Sequence, residues 1–141
     1  MTYATQADLT DRFGAVELAQ LTDRTKGVVI DATVLGRALA DADAEIDSYL
    51  ATRYSLPLES TPVVLVRMAA DMARYRLYDD RVTEAVRQRY GDAVSLLKRM
   101  ATGEVQLAGS TVLAAATTGA GNAVAVLAPD RVFSATALQS Y

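Results

Sequence analysis

The chain of 141 residues is long enough for one domain with a hydrophobic core and too short for two full ones. Its 14 basic and 17 acidic residues give a formal net charge of -3, so electrostatics provide no drive for tight binding to a nucleic-acid backbone. Cysteine is absent, which excludes disulfides and a thiol nucleophile, and histidine, the commonest general base, is absent too. Composition therefore predicts a globular protein that is not an enzyme and binds no cofactor.

Two short helices are predicted at the start of the chain. Thr5, with Asp8 three residues later, is typical of a capping box, and Gly14 suits a left-handed helix stop. A second short helix is expected near Ala15 to Leu21. Neither a basic cluster nor an apolar run precedes these helices, so we expect no signal peptide.

Three longer helices follow, each with one apolar face. Asp31 caps the first, Thr61 caps the second with Pro62 at its first helical position, and the third spans about residues 82–101 before Gly103. Apolar residues spaced by three and four predict the buried faces. These residues are Leu35, Leu39, Ala42, Ile46 and Leu50, then Leu65, Met68, Met72 and Tyr75, then Val86, Tyr90, Ala93, Val94, Leu97 and Met100.

The composition changes after residue 104, because only Asp130 and Arg131 carry a charge beyond that point. We therefore divide the chain into a bundle domain, residues 1–104, and an extended arm, residues 105–141. Short β segments are predicted at 111–113, 124–127 and 131–133, around a turn at Gly119 to Asn122. The predicted fold class is mainly α: a small bundle of three long and two short N-terminal helices with an extended, partly β C-terminal arm.

The arm contains an uncharged stretch, residues 105–129, that is long enough to cross a membrane. Its alanine, glycine, threonine and serine side chains transfer poorly into lipid, so we expect no membrane partner. With few large apolar groups, such a segment does not readily order itself. We expect either the bundle or a neighbouring chain to hold it.

Two segments resemble ligand-binding motifs without completing them. The acidic run from Asp41 to Asp47 begins like a calcium loop, but Ile46 and Thr52 occupy positions where glycine and glutamate are needed. We expect its carboxylates to form a solvated helix face. Residues 119–124 begin like a dinucleotide fingerprint, but no helix follows, which favours a turn. No catalytic, cofactor or metal site is predicted.

The segment from Ala73 to Arg81 interleaves arginine with tyrosine, residue types enriched at protein interfaces. Three interpretations stay open: internal packing with surface ion pairs, a subunit contact, or stacking on nucleic-acid bases. The candidate interface residues combine this segment, the chain after the first long helix, and the arm. They are Arg53, Tyr54, Arg74, Arg76, Tyr78, Val112, Leu113, Val124, Val126, Arg131, Val132, Phe133 and Tyr141.

Taken in order, the motifs closely resemble the neck protein family of Mu-like phages and prophages. They are more distantly similar to the head-tail connector (adaptor) proteins of long-tailed phages. The resemblance covers nearly the whole chain and is weakest from about 109 to 128; the ordered series is specific, although no single motif is. The motifs are Tyr3-Ala4-Thr5, Asp8-Leu9, Arg12-Phe13-Gly14, Leu21-Thr22-Asp23-Arg24, Ala38 to Ala42, Glu45 to Leu50, Arg53 to Leu58, Ala73 to Tyr78 and Arg131 to Ser134.

The resemblance implies a structural protein of the virion neck with no catalytic residues. Such adaptors form a homo-oligomeric ring, commonly of twelve copies, between the portal protein and the next neck or tail-terminator protein. Genome DNA passes through the ring without sequence-specific binding, and the expected location is the virion, after assembly in the host cytoplasm.

Two alternatives remain to the adaptor role. One is a tail-terminator or stopper component of the same neck. The other is a small helical DNA-binding regulator, against which the acidic start of the chain counts. Its first 23 residues contain Arg12 as the single basic residue, with Asp8, Asp11, Glu17 and Asp23 opposing it.

Overall fold

The computed structural model describes residues 1–113 and confirms a mainly helical fold. No regular strand occurs within these residues, and none of their helices is long and apolar enough to cross a membrane. The β segments predicted at 124–127 and 131–133 and the turn predicted at Gly119 to Asn122 lie outside the described residues. The helices are α1 (Gln6–Phe13), α2 (Ala15–Thr22), α3 (Ala32–Leu50), α4 (Val63–Tyr78) and α5 (Glu84–Thr102), with a 3-10 turn at Asp79–Arg81.

Most helix ends follow the capping signals in the sequence. The hydroxyl of Thr5 accepts from the N–H of Asp8, whose carboxylate accepts from the N–H of Thr5, which confirms the capping box of α1. The Asp31 carboxylate accepts two N–H groups at the start of α3. Gly103 ends α5 with a left-handed backbone, as predicted.

Two helix ends differ from their predictions. Pro62 is the cap of α4 rather than its first helical residue: its backbone is extended, and its carbonyl already accepts the N–H of Leu65. Thr61 therefore lies outside the helix. Gly14 has a positive φ of 88° but an extended ψ of 148°, so the predicted left-handed stop is wrong. The reason is that α2 begins at the next residue, and Gly14 serves both helices as their common cap.

The core lies where α4 packs against α3 on one side and α5 on the other. Of the predicted apolar faces, only Tyr75, Tyr90 and Val94 are half-buried, and all their other residues are buried. The short helices α1 and α2 cover one flank and contribute Leu9 and Leu18, which are fully buried. The helix spacing in the sequence thus located the core correctly.

The first residues of the predicted arm remain attached to the bundle. Leu107 is buried in the core, and its N–H donates to the phenol oxygen of Tyr54 at 3.1 Å. Val112 then forms an isolated antiparallel bridge with Tyr54, in which Leu113 N–H donates to the Arg53 carbonyl. The described chain thus keeps packing on the bundle beyond residue 104. The domain boundary at that residue stays a prediction.

Replacing Gly103 should destabilise the bundle, because two constraints act there together. Its φ of 83° is unfavourable for other residues, and a Cβ atom would collide with the guanidinium of Arg53. Gly103→Ala should lower the free energy of unfolding by roughly 1–3 kcal/mol. The measurement is urea denaturation followed by far-UV circular dichroism.

The matched control is Gly91→Ala on the same helix. Gly91 is an exposed helical glycine with open space around its missing Cβ atom. This substitution should raise the free energy of unfolding by roughly 0.5–1 kcal/mol. Changes of the same sign in the free energy of unfolding of both variants would contradict the role assigned to Gly103.

Candidate interaction surface

The end of α4 is tied to the short helices through Arg74. Its guanidinium forms an ion pair with the Glu17 carboxylate at 2.6 Å and lies 4.5 Å from the centre of the Phe13 ring. The hydroxyl of Tyr78 donates to the same carboxylate at 2.8 Å. Burial and this hydrogen bond raise the pKa of Tyr78. Arg74 thus links α4 to both α1 and α2.

A second carboxylate, Glu45 on α3, joins the three long helices. It accepts from the Arg76 guanidinium of α4 at 2.6 Å and from the Tyr90 hydroxyl of α5 at 2.8 Å. The Tyr90 ring stacks on the Tyr75 ring with centres 4.1 Å apart. Burial first, and then the hydrogen bond to Glu45, raises the pKa of Tyr90 to about 12.

These contacts bear on the three interpretations of the arginine and tyrosine segment. Within the described chain, Arg74 and Arg76 form internal ion pairs and Tyr78 donates to Glu17, which matches the packing interpretation. Their assignment to an interface stays a prediction. A partner would meet guanidinium groups that are already held by the chain's own carboxylates.

The expectation of a solvated acidic face on α3 is wrong for three of its four carboxylates. Asp43 is 8% exposed and accepts the N–H of Tyr3, while Asp47 accepts the hydroxyl of Tyr3. Burial raises the pKa of Asp43. Glu45 is held as described above, and Asp41 alone is exposed. The N-terminal segment contacts Asp43 and Asp47 through Met1 and Tyr3, whereas Glu45 is held by side chains of α4 and α5.

Within residues 1–113, no group of three acidic side chains lies close enough together to hold a metal ion. The calcium-loop resemblance in the acidic run therefore has no structural counterpart in the described chain. Asp43 and Asp47 instead accept hydrogen bonds from Tyr3. The missed signal was Tyr3 itself, an aromatic residue placed before the first helix.

Four predicted interface residues come together where the arm leaves the bundle. Tyr54 is 1% exposed, so its side chain belongs to the core, and Arg53 lies against Gly103 with its Nε atom buried and without a hydrogen-bond partner among residues 1–113. Val112 and Leu113 are exposed beside them. We call residues 53–55 together with 111–113 the arm root. The predicted residues Val124, Val126, Arg131, Val132, Phe133 and Tyr141 lie outside the described residues.

The loop between α2 and α3 displays two exposed valines that sequence reasoning missed. Asp23 accepts from the backbone N–H groups of Thr25, Lys26 and Val28, which fixes the loop. These hydrogen bonds lower the pKa of Asp23. Val28 and Val29 point outward, about 70% exposed (73% and 67%). A fixed loop with an apolar tip is suited to contact with a protein partner.

The described part of the chain contains two further clefts. One, of about 480 Å³, lies at the end of α4 beside Asp79 and Arg24. The other, of about 520 Å³, lies between α1, α4 and α5 and is lined by Arg12, Arg67 and Arg89. These arginines are far apart in the sequence, so no local spacing could reveal that they share a cleft.

Comparison with known proteins decides the family. A family model described as Bacteriophage Mu, Gp36 matches residues 3–126, which include all five helices. The chain belongs to this family. It is 37% identical over 105 residues to the Mu-like prophage FluMu protein gp36 of Haemophilus influenzae, a stretch covering 74% of each chain. It is 38% identical over 105 residues to gene product J of Escherichia phage Mu, again covering 74% of each.

Membership in the Gp36 family confirms the resemblance to Mu-like phage proteins that the ordered motifs indicated. The match includes the arm root and the helices that carry Glu17 and Glu45. Both relatives come from phage Mu or a Mu-like prophage.

Removing the Glu45 carboxylate should destabilise the bundle, because Arg76 and Tyr90 would both lose their partner. Glu45→Ala should lower the free energy of unfolding by about 1–2 kcal/mol. The control is Asp41→Ala, on the same helix and exposed, which should change it by no more than about 0.5 kcal/mol. Urea denaturation measures both, and equal effects would show that Glu45 is no more than a surface residue.

Alkaline pH should destabilise the protein through Tyr90. An unfolded tyrosine ionises near pH 10, whereas the pKa of Tyr90 is raised to about 12 in the folded chain. Its contribution to stability is complete below about pH 10 and is lost as the pH rises toward 12. The midpoint temperature of thermal unfolding should therefore fall more steeply between about pH 10 and 12 in the wild type than in Tyr90→Phe.

The control for the alkaline experiment is Tyr49→Phe. Tyr49 is half-buried on α3, and its hydroxyl forms no hydrogen bond within residues 1–113. The unfolding temperature of Tyr49→Phe should change with pH as that of the wild type does. If Tyr90→Phe also follows the wild type, Tyr90 is not the group responsible.

Proposed function

We propose that this protein is a head-tail connector (adaptor) of a Mu-like phage, a structural protein without enzymatic activity. It forms a ring, with twelve copies expected, between the portal protein and the next neck or tail-terminator protein. Genome DNA passes through the ring without sequence-specific contacts. Membership in the Gp36 family supports a phage role, and the ordered motifs shared with adaptor proteins support this position.

The observation that carries the proposal is the geometry of the arm root. Leu113 N–H and the Thr111 carbonyl bond to residues 53–55. Because backbone groups alternate along a strand, the N–H and carbonyl of Val112 point to the opposite side. An extended segment with one edge turned outward and exposed apolar side chains is suited to pairing with a neighbouring chain.

A ring of identical subunits also needs surfaces whose shape does not change during assembly. The loop at Val28 and Val29 meets this need, because the Asp23 carboxylate fixes its backbone. Ordering such a loop on contact with a neighbour has little entropic cost. The bundle thus offers a rigid apolar contact in addition to the arm root.

A tail-terminator or stopper role would use the same surfaces, so only the position in the particle separates it from the adaptor role. The DNA-binding regulator receives less support. Its recognition helix would be α2, which contains no basic residue and whose Glu17 is bound to Arg74 and Tyr78. A helix of that kind would repel phosphates rather than bind them.

The proposal predicts binding to the portal ring of the same phage through the arm. The full chain mixed with portal should co-elute with it at ring stoichiometry, as measured by size-exclusion chromatography with light scattering. A chain ending at Leu113 should keep its helical circular dichroism and no longer co-elute. Val112→Asp in the full chain should weaken binding at least about tenfold, since it places a charge in an apolar contact.

The control is Val16→Asp, which replaces the same residue type at a more exposed position (72% against 43% for Val112) on α2, where an early helical aspartate is tolerated. It should bind portal like the wild type. If the full chain does not bind portal at all, the adaptor role is wrong. If the chain ending at Leu113 binds as well as the full chain, the arm is not the docking element.

A further inference from the structure

Three arginines from three helices line one cleft on the side of the bundle. Arg12 comes from α1, Arg67 from α4 and Arg89 from α5, and together they border a space of about 520 Å³. Phe13 and Met68 supply apolar wall between them. Three guanidinium groups converging on a cleft of this size form an arrangement suited to binding an anion.

These arginines differ from most others in the described chain because no carboxylate neutralises them directly. Within residues 1–113, Arg12, Arg67 and Arg89 form no ion pair within 4.0 Å. The arginines that do form ion pairs are Arg24, Arg74, Arg76, Arg87 and Arg99. The guanidinium groups of the cleft are therefore available to an external partner.

Two carboxylates in the cleft limit what that partner is. Asp71 and Asp92 also line it, so three positive charges face two negative ones. Burial raises the pKa of Asp71, and the nearby Arg89 and Arg67 oppose that rise. The small positive excess suits one or two carboxylates of a protein. A run of phosphates would lie against Asp71 and Asp92, which makes a nucleic acid the poorer fit.

The same chain carries a matching acidic feature at the end of the bundle. The turn between α4 and α5 places Asp79 and Asp80 side by side and Arg81 directly after them, and all three residues are exposed. Asp79 has a φ of 51° and a ψ of -120°, a backbone conformation outside the left-handed helical region that residues other than glycine rarely adopt. Arg24 binds one oxygen of Asp79, and Asp80 forms no ion pair within the described residues.

A second copy of the chain is the occupant that the geometry favours. Eleven helical steps separate Arg67 from Tyr78, so roughly 17 Å of α4 lies between the cleft and the turn. Neither Asp79 nor Asp80 forms an ion pair with Arg12, Arg67 or Arg89 within the folded chain. A contact between the end of one bundle and the side of the next joins two different surfaces, and repetition of such a contact forms a ring when the rotation between successive copies closes.

We propose that the arginine cleft of one copy receives the Asp79-Asp80 turn of a second copy, forming a contact between subunits. Arginine forks bind carboxylates through paired N–H donors, so Asp80 is the residue that enters between Arg67 and Arg89. The biological setting of this contact rests on the proposed ring. The contact itself is a property of the isolated protein and is measured without portal.

The test reverses the charge on each side separately, with Arg89→Asp in the cleft and Asp80→Arg in the turn. Wild-type protein should self-associate with rising concentration in sedimentation equilibrium, and less so at high salt. Each variant alone should associate at least about tenfold more weakly. An equimolar mixture of the two should recover a dimer, because the intact cleft of one variant meets the intact turn of the other.

The control is Arg37→Asp, an exposed arginine on α3 outside the cleft, which should associate like the wild type. Both test positions are exposed, and circular dichroism checks that each variant is folded. Arg67→Asp replaces Arg89→Asp if that variant does not fold. The contact is disproved if the wild type stays monomeric at every concentration, if either charge reversal leaves association unchanged, or if the mixture stays monomeric.

A labelled DNA duplex bound by the wild type and not by Arg89→Asp would assign the cleft to phosphates and overturn the proposal. Portal binding, measured on the same variants, separates the two proposals. Wild-type protein that binds portal but does not self-associate through the cleft disproves the contact alone. Protein that self-associates through the cleft but ignores portal disproves the adaptor role and leaves the contact standing.

Discussion

The burial of α4 between α3 and α5 is the constraint on which the core and the placement of the α4 arginines depend. Leu65, Met68 and Met72 are fully enclosed, and Ala69, Ala70 and Ala73 let the neighbouring helices approach closely. Such packing fixes the rotation of α4 about its axis. Once this rotation is set, Arg67 faces the side of the bundle, Arg74 faces the short helices and Arg76 faces α3.

Two half-buried carboxylates then set how the helices align around α4. Glu17 and Glu45 each accept from one arginine and one tyrosine hydroxyl. Partly buried ion pairs of this kind add modest net stability, since desolvation offsets much of the attraction. Their geometry is specific, however, and we infer that they fix the register of the helices. They also occupy the arginines that would otherwise be the most natural contacts for a partner.

We propose three surfaces within residues 1–113 for contact with partners. They are the arm root, the valine-tipped loop and the arginine cleft with its acidic counterpart at Asp79 and Asp80. One offers backbone hydrogen bonds, one apolar area and one complementary charge. For a small subunit proposed to assemble into a ring, three separated contacts of different chemistry restrict the arrangements in which copies fit together.

The ordered series of motifs along the chain indicated the family. The sequence by itself also determined the helices, most of their ends and the core faces, because caps and apolar spacing act within a few residues of each other. Thr5 with Asp8, Asp31 and Gly103 are such local signals. Only the tertiary structure decided what distant residues do to one another. Tyr3 buries Asp43 from 40 positions away, and Arg12, Arg67 and Arg89 meet only because three helices pack. A residue's own spacing shows which way it faces, whereas its partner depends on how the separate helices are brought together.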